Sequence, residues 1–207
     1  AIVLVYAFFV ENCSEPRDPH ALARSYPTVR AYELVGGDRF VIASIQAPHP
    51  HYRPTPDGYR IGYGWLSDEK PEQHVRLHHK FVLDVIDKLA SDQLIDRESV
   101  FMYGFSQACA LNFRFAFTHS DVLKGIVGVC GGIPGDLDTN ENYTPFTADT
   151  LYLYGDDDEF YTQERFAEFN EKLASLLPNY RSKHYAAKHE ITDDMRRDIR
   201  EWLANLI

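Results

Sequence analysis

The chain has 207 residues, enough for one domain with a substantial core, and its 44% hydrophobic and 25% charged content is that of an ordinary soluble globular protein. A net charge of −10 and a pI near 5.3 give a surface that repels phosphate backbones and anionic lipid heads, and no Lys/Arg run offsets it, which argues against nucleic-acid binding. Cys13, Cys109 and Cys130 are too scattered for a disulfide framework and point to a reducing, cytoplasmic compartment, with one disulfide in a secreted protein as the alternative.

Taken in chain order, short apolar runs alternate with helical patterns. Ile2–Phe9 is apolar, lacks a basic leader and a small-residue cleavage site, and is too short to span a bilayer; it reads as a buried strand, with no integral membrane association. A helix is predicted over His20–Leu34, a strand over Phe40–Gln46, and a Pro-, Gly- and Tyr-rich loop over 47–70. Pro71–Ala90 predicts a helix, because Pro71 suits a first turn and Val75, His78, Val82, Val85, Ile86 and Leu89 share one face. Strand Val100–Tyr103, helix Gln107–Thr118, strand Gly125–Cys130 and a second long loop over 131–149 follow. Strand Leu151–Tyr154, helix Thr162–Leu177, strand Tyr180–Tyr185 and helix Thr192–Leu206 complete the chain. The β-α alternation predicts a single α/β domain over residues 1–207, with a mostly parallel central sheet, helices on both faces and no large lid domain.

Candidate chemistry lies at strand ends. Ser99 to Cys109 reads strand, sharp turn, helix, with Ser106 at the apex and the small residues Gly104 and Ala108 on either side. A nucleophilic serine on such an elbow needs small neighbours at −2 and +2, and the following helix aims its free N–H groups at a developing oxyanion. A second strand runs into Gly155-Asp156-Asp157-Asp158-Glu159, and His189 lies between the last strand and the last helix. The order serine, carboxylate, histidine is the one a serine hydrolase of this architecture uses. Asp158 suits the acid, with Asp157 as its rival one residue away; Asp156, Asp157 and Glu159 otherwise read as a solvated acidic turn.

The motifs Gly104-Phe-Ser-Gln, Gly155-x-x-Asp158 and His189-Glu-Ile resemble the phospholipase/carboxylesterase family of the α/β-hydrolase superfamily, which includes acyl-protein thioesterases and small bacterial carboxylesterases. Gln46-Ala-Pro and Ile95-Asp-Arg-Glu-Ser-Val are similar too, so the resemblance runs from about Ile2 to Trp202. It implies that Ser106 is the nucleophile, His189 the general base and Asp158 the orienting acid. The implied reaction is hydrolysis of a small carboxylic ester or thioester through an acyl-enzyme, without cofactor or metal. The backbone N–H of Gln107 would be one oxyanion donor. Where the family has His-Gly, this chain has Tyr6-Ala7-Phe8-Phe9, so Phe8 would supply the second donor and Phe9 would adjoin the substrate. That departure motivates one alternative, a binding protein on the same fold; a thioesterase, peptidase or lactonase using the same triad is another.

Other residues carry plainer readings. Tyr63 and Trp65 either wall the substrate pocket or pack under the 47–70 loop. His49, His51, His74, His78 and His79 suggest a metal site, but without a supporting carboxylate pattern they read as packed or surface histidines. His184 lies inside the last strand, His119 ends the elbow helix where a cation suits the dipole, and Cys109 reads as a small core residue. The oligomeric state is open, with a homodimer as one option.

Overall fold

A computed structural model describes residues 2–6, 40–45, 47–67 and 69–207. Its strands are β1 (Ile2–Tyr6), β2 (Val41–Ile45), β3 (His49–Thr55), β4 (Gly58–Gly64), β5 (Val100–Phe105), β6 (Gly125–Val129), β7 (Asp149–Gly155) and β8 (Tyr180–Tyr185). Its helices are α1 (Pro71–Ser91), α2 (Gln107–Thr118), α3 (Gln163–Leu176) and α4 (Asp193–Ala204). Six strands form one sheet in the order β2-β1-β5-β6-β7-β8, and every pairing in it is parallel. The expected helix His20–Leu34, residues 7–9 of the first apolar run and Gln46 lie outside the described residues.

The sheet is covered on both faces, which is why its central strands read as unbroken apolar runs. Successive side chains alternate between the faces. Met102, Ile126 and Tyr152 pack with Val82 and Ile86 of α1, Phe113 of α2 and Phe166 and Leu173 of α3. Tyr103, Val127 and Leu153 pack with Met195, Ile199, Trp202 and Leu203 of α4. Helix α2 buries residues around most of its circumference, from Ala108 and Cys109 to Phe115, Ala116 and Phe117, as expected of a helix lodged between a sheet and other helices. β8 is one of the two edge strands, and its Tyr-Arg-Ser-Lys-His-Tyr sequence leaves charged side chains facing water, where they discourage edge pairing.

Three sequence expectations need correction. The 47–70 segment is not simply a loop, because β3 and β4 pair antiparallel from His49↔Gly64 to Thr55↔Gly58 as a separate hairpin. Its prolines suggested a loop, but a strand of a two-stranded ribbon has a free edge where the missing N–H of a proline costs nothing. The turn closes at Gly58, whose φ of +130° suits a residue without Cβ. Helices α3 and α4 start one residue later than expected, because Thr162 and Thr192 cap them from outside: their hydroxyls accept the N–H of Arg165 (3.3 Å) and Met195 (3.2 Å). β7 starts earlier and ends later than expected, at Asp149 and Gly155, which brings its end to the acidic turn.

Since the strands are parallel, their C-terminal ends share one edge of the sheet, and the segments after β5, β7 and β8 meet there. Among the described residues no helix is long and apolar enough to cross a membrane.

Candidate active site

Ser106 lies between the end of β5 and the start of α2 with φ 58° and ψ −125°, a backbone conformation that L-residues adopt at a cost of about 1–3 kcal/mol. The surroundings hold it there. Its N–H donates to Val129 O of the neighbouring strand (2.9 Å), and its carbonyl accepts the N–H of Cys109 (3.0 Å). The Cys109 thiol donates to Gly104 O (3.1 Å) and Val129 O (3.3 Å), and burial pushes its pKa well up, so it is an inert core thiol. The turn leaves no room for side chains. A Cβ on Gly104 would lie 2.7 Å from Asn112 Nδ2 and 3.0 Å from the Ala108 carbonyl carbon. One on Gly131 would lie 2.1 Å from Ser106 O.

The acid turn follows β7. Asp158 is buried, and its carboxylate is fully used: Oδ1 accepts the N–H groups of Phe160 (2.8 Å) and Tyr161 (3.0 Å), and Oδ2 faces His189 Nδ1 at 2.8 Å. Asp157, its rival in the sequence, is exposed, and its N–H donates to Ala187 O (3.0 Å). A carboxylate on Nδ1 places the ring proton there and leaves Nε2 unprotonated. His189 Nε2 lies 2.9 Å from Ser106 Oγ. The structure thus brings Ser106, His189 and Asp158 into one hydrogen-bonded chain, with the His189 side chain 9% exposed and that of Asp158 fully buried. The rings of Phe105 (4.9 Å) and Phe160 (4.6 Å) pack on the imidazole, and Phe160 is itself well exposed.

Gln107, the first residue of α2, has an N–H with no acceptor inside the helix, as any first-turn amide does. Such an amide beside the nucleophile can hold an oxyanion. Phe8 and Phe9 lie outside the described residues. Trp65 is buried, with its ring 5.0 Å from His78 and 5.7 Å from Phe81, and Tyr63 is half-buried against the same cluster.

Among the described residues, His184, His78, His79, His119 and His74 lie in other contacts. His184 stands exposed on β8, stacked on Tyr154 and bonded to Asp156 (2.9 Å). Burial and the neighbouring His79 lower the His78 pKa to about 3; burial, His119 and Arg114 lower that of His79 to about 4. His119 was expected to favour its cationic form at the helix end, but burial against Phe115 and His79 lowers its pKa, so desolvation outweighs the dipole there. His74 Nδ1 accepts the N–H of Ser67 (3.2 Å). Among the described residues no three metal-binding side chains converge.

Glu159 is exposed, as expected of a solvated turn, and its Oε2 also accepts the backbone N–H of His189 at 3.0 Å. Only the meeting of two segments remote in sequence makes that contact, and no local pattern signals it.

The sequence model of the phospholipase/carboxylesterase family matches residues 63–207. The chain belongs to that family. It is accordingly a serine hydrolase acting on carboxylic esters. No curated protein matches it in sequence. Solved structures share its α/β-hydrolase fold. The Arabidopsis thaliana protein SOBER1 is 17% identical at a TM-score of 0.72, over 99% of this chain and 97% of that one. Zea mays acyl-protein thioesterase 2 is 16% identical at a TM-score of 0.69, over 100% of this chain and 93% of that one. The Bacillus cereus carboxylesterase is 14% identical at a TM-score of 0.69, over 100% of this chain and 88% of that one.

Proposed function

We propose that Ser106, His189 and Asp158 form the catalytic triad of a single-domain hydrolase, acting on small or short-chain carboxylic esters and thioesters through an acyl-enzyme. The observation that carries this reading is the continuous path Ser106 Oγ–His189 Nε2 (2.9 Å) and His189 Nδ1–Asp158 Oδ2 (2.8 Å). Ser106 Oγ attacks the acyl carbon as its proton passes to His189 Nε2. The imidazolium is stabilised by Asp158, and the N–H of Gln107, with Phe8 as the second donor, holds the oxyanion. His189 then gives its proton to the departing alcohol or thiol. Water, activated by the same nitrogen, releases the acid and restores Ser106.

The preference for small acyl groups is supported by the described connections, which carry no inserted domain that would enclose a long chain. A reducing compartment, and with it a cytoplasmic location, is supported by Cys109 and Cys130, both buried as free thiols.

The test is hydrolysis of p-nitrophenyl esters from acetate to decanoate by the parent and by Ser106→Ala. Turnover by the parent, highest on the short esters, and a fall of about 10⁴–10⁶ in kcat for the variant are expected. An unaffected Ser106→Ala overturns the nucleophile assignment, and a preference for decanoate overturns the substrate size.

A further inference from the structure

Asp158 and Glu159 are consecutive, and both carboxylates end on His189. Asp158 takes the ring at Nδ1 and Glu159 takes the backbone N–H. The two segments that meet here are laced together from β7 outward. The N–H of Asp156 donates to Tyr185 O (2.8 Å), and that of Asp157 donates to Ala187 O (3.0 Å). A Cβ on Gly155 would lie 2.3 Å from Ala187 O and 2.6 Å from Lys188 O, so the backbones are pressed together at this point. The next contact along the series is made by the Glu159 side chain and not by backbone, and it falls on the residue that carries the base.

We propose that Glu159 is a positioning residue: its carboxylate fixes the backbone of the His189 loop, so that the imidazole held by Asp158 keeps Nε2 on Ser106 Oγ. This rests on the assignment of His189 as general base. The backbone lacing ends at Ala187, so beyond it the ring contact to Asp158 is joined by one more tether across the two segments, the Glu159 carboxylate on the His189 N–H. A bond from an N–H to a charged carboxylate is stronger than one to a neutral acceptor, which suits an exposed position. Small displacements of a catalytic group carry large rate penalties, of about 10² for roughly 1 Å. The charged and titratable groups around the contact are Asp158, Lys188 and Glu190, with the Cys130 thiol behind Asp158. The Cys130 thiol is pushed up to about 12 by burial and stays protonated.

The test compares Glu159→Ala and Glu159→Gln in the full chain by kcat and KM on p-nitrophenyl acetate, with thermal midpoints alongside. Glutamine keeps an oxygen acceptor and alanine does not. The expected result is a loss of about 10-fold in kcat for Glu159→Ala with KM within about 2-fold, recovery to within about 3-fold of the parent for Glu159→Gln, and unchanged midpoints. Parent-like kcat in Glu159→Ala overturns the proposal. So does a Glu159→Gln as impaired as the alanine variant, or a loss of kcat that tracks a lowered midpoint. His189→Ala separates the two levels. If it retains parent activity, the base assignment falls and takes this role with it. If it is inactive while Glu159→Ala keeps parent-like kcat, only the positioning role falls.

Discussion

Ser106 and His189 face each other across 2.9 Å, yet they are held there by different means. The serine sits on one continuous stretch from β5 into α2, confined mainly by lack of room: Gly104 against Asn112 and Ala108, and Gly131 against its own carbonyl. The histidine sits on a short loop after β8 and is confined by attraction, through hydrogen bonds that it donates to Asp158 and Glu159 on the turn after β7. Steric confinement is part of the core, so disturbing it should damage fold and activity together. Confinement by a few hydrogen bonds at the sheet edge should be separable from the fold.

The largest effect is expected at the base. Asp158→Asn keeps the shape of the side chain but favours the wrong tautomer of His189, and kcat should fall by about 10⁴ with a nearly unchanged thermal midpoint. Asp157→Ala, next to it and exposed, should change kcat by less than about 2-fold. Equal losses in the two would return the acid role to an unresolved pair. At the elbow, Gly131→Ala inserts a methyl 2.1 Å from Ser106 O and 2.5 Å from Cys109 Sγ. Overpacking of this kind costs about 1–3 kcal/mol or more, so calorimetry should show a lowered midpoint, and activity should fall with it. A stable but inactive Gly131→Ala would show that the elbow is as separable from the fold as the base.

The smallest effect concerns the other end of α2, where His79 packs on Phe115 and His119. With its folded pKa lowered to about 4, chiefly by burial, His79 stays neutral in the native state while the unfolded chain takes up a proton near 6.5. Its effect is absent above about pH 6.5, and stability falls as pH drops from there towards 4, by up to about 1.4 kcal/mol per pH unit. His79→Phe should flatten the pH dependence of the urea midpoint over that window without changing kcat. An unchanged slope would mean that His79 titrates normally.

Much of the elbow could be read from residue order because its constraints are local. A strand, a serine between small residues and a helix from Gln107 to Thr118 are all set by neighbours in the chain, and the structure has that helix with the same bounds. The expected strand Val100–Tyr103 was legible for a similar reason, since burial on both faces makes a short stretch read as a continuous apolar run, and the structure extends it to Phe105. The hairpin of β3 and β4 was not, because its prolines and glycines look the same in a loop and in a free-edged ribbon, and pairing tells them apart.

Family, sheet architecture and the candidate serine, histidine and carboxylates follow from motifs and periodicity, because each depends on residues close together in the chain. The burial of Asp158 beside an exposed Asp157, the lowered pKa of His119 and the hold of Glu159 on His189 do not. Each depends on what a side chain meets after β7 and β8 pair, or after α2 is buried, and burial and hydrogen-bond geometry between distant segments exist only once the chain has folded.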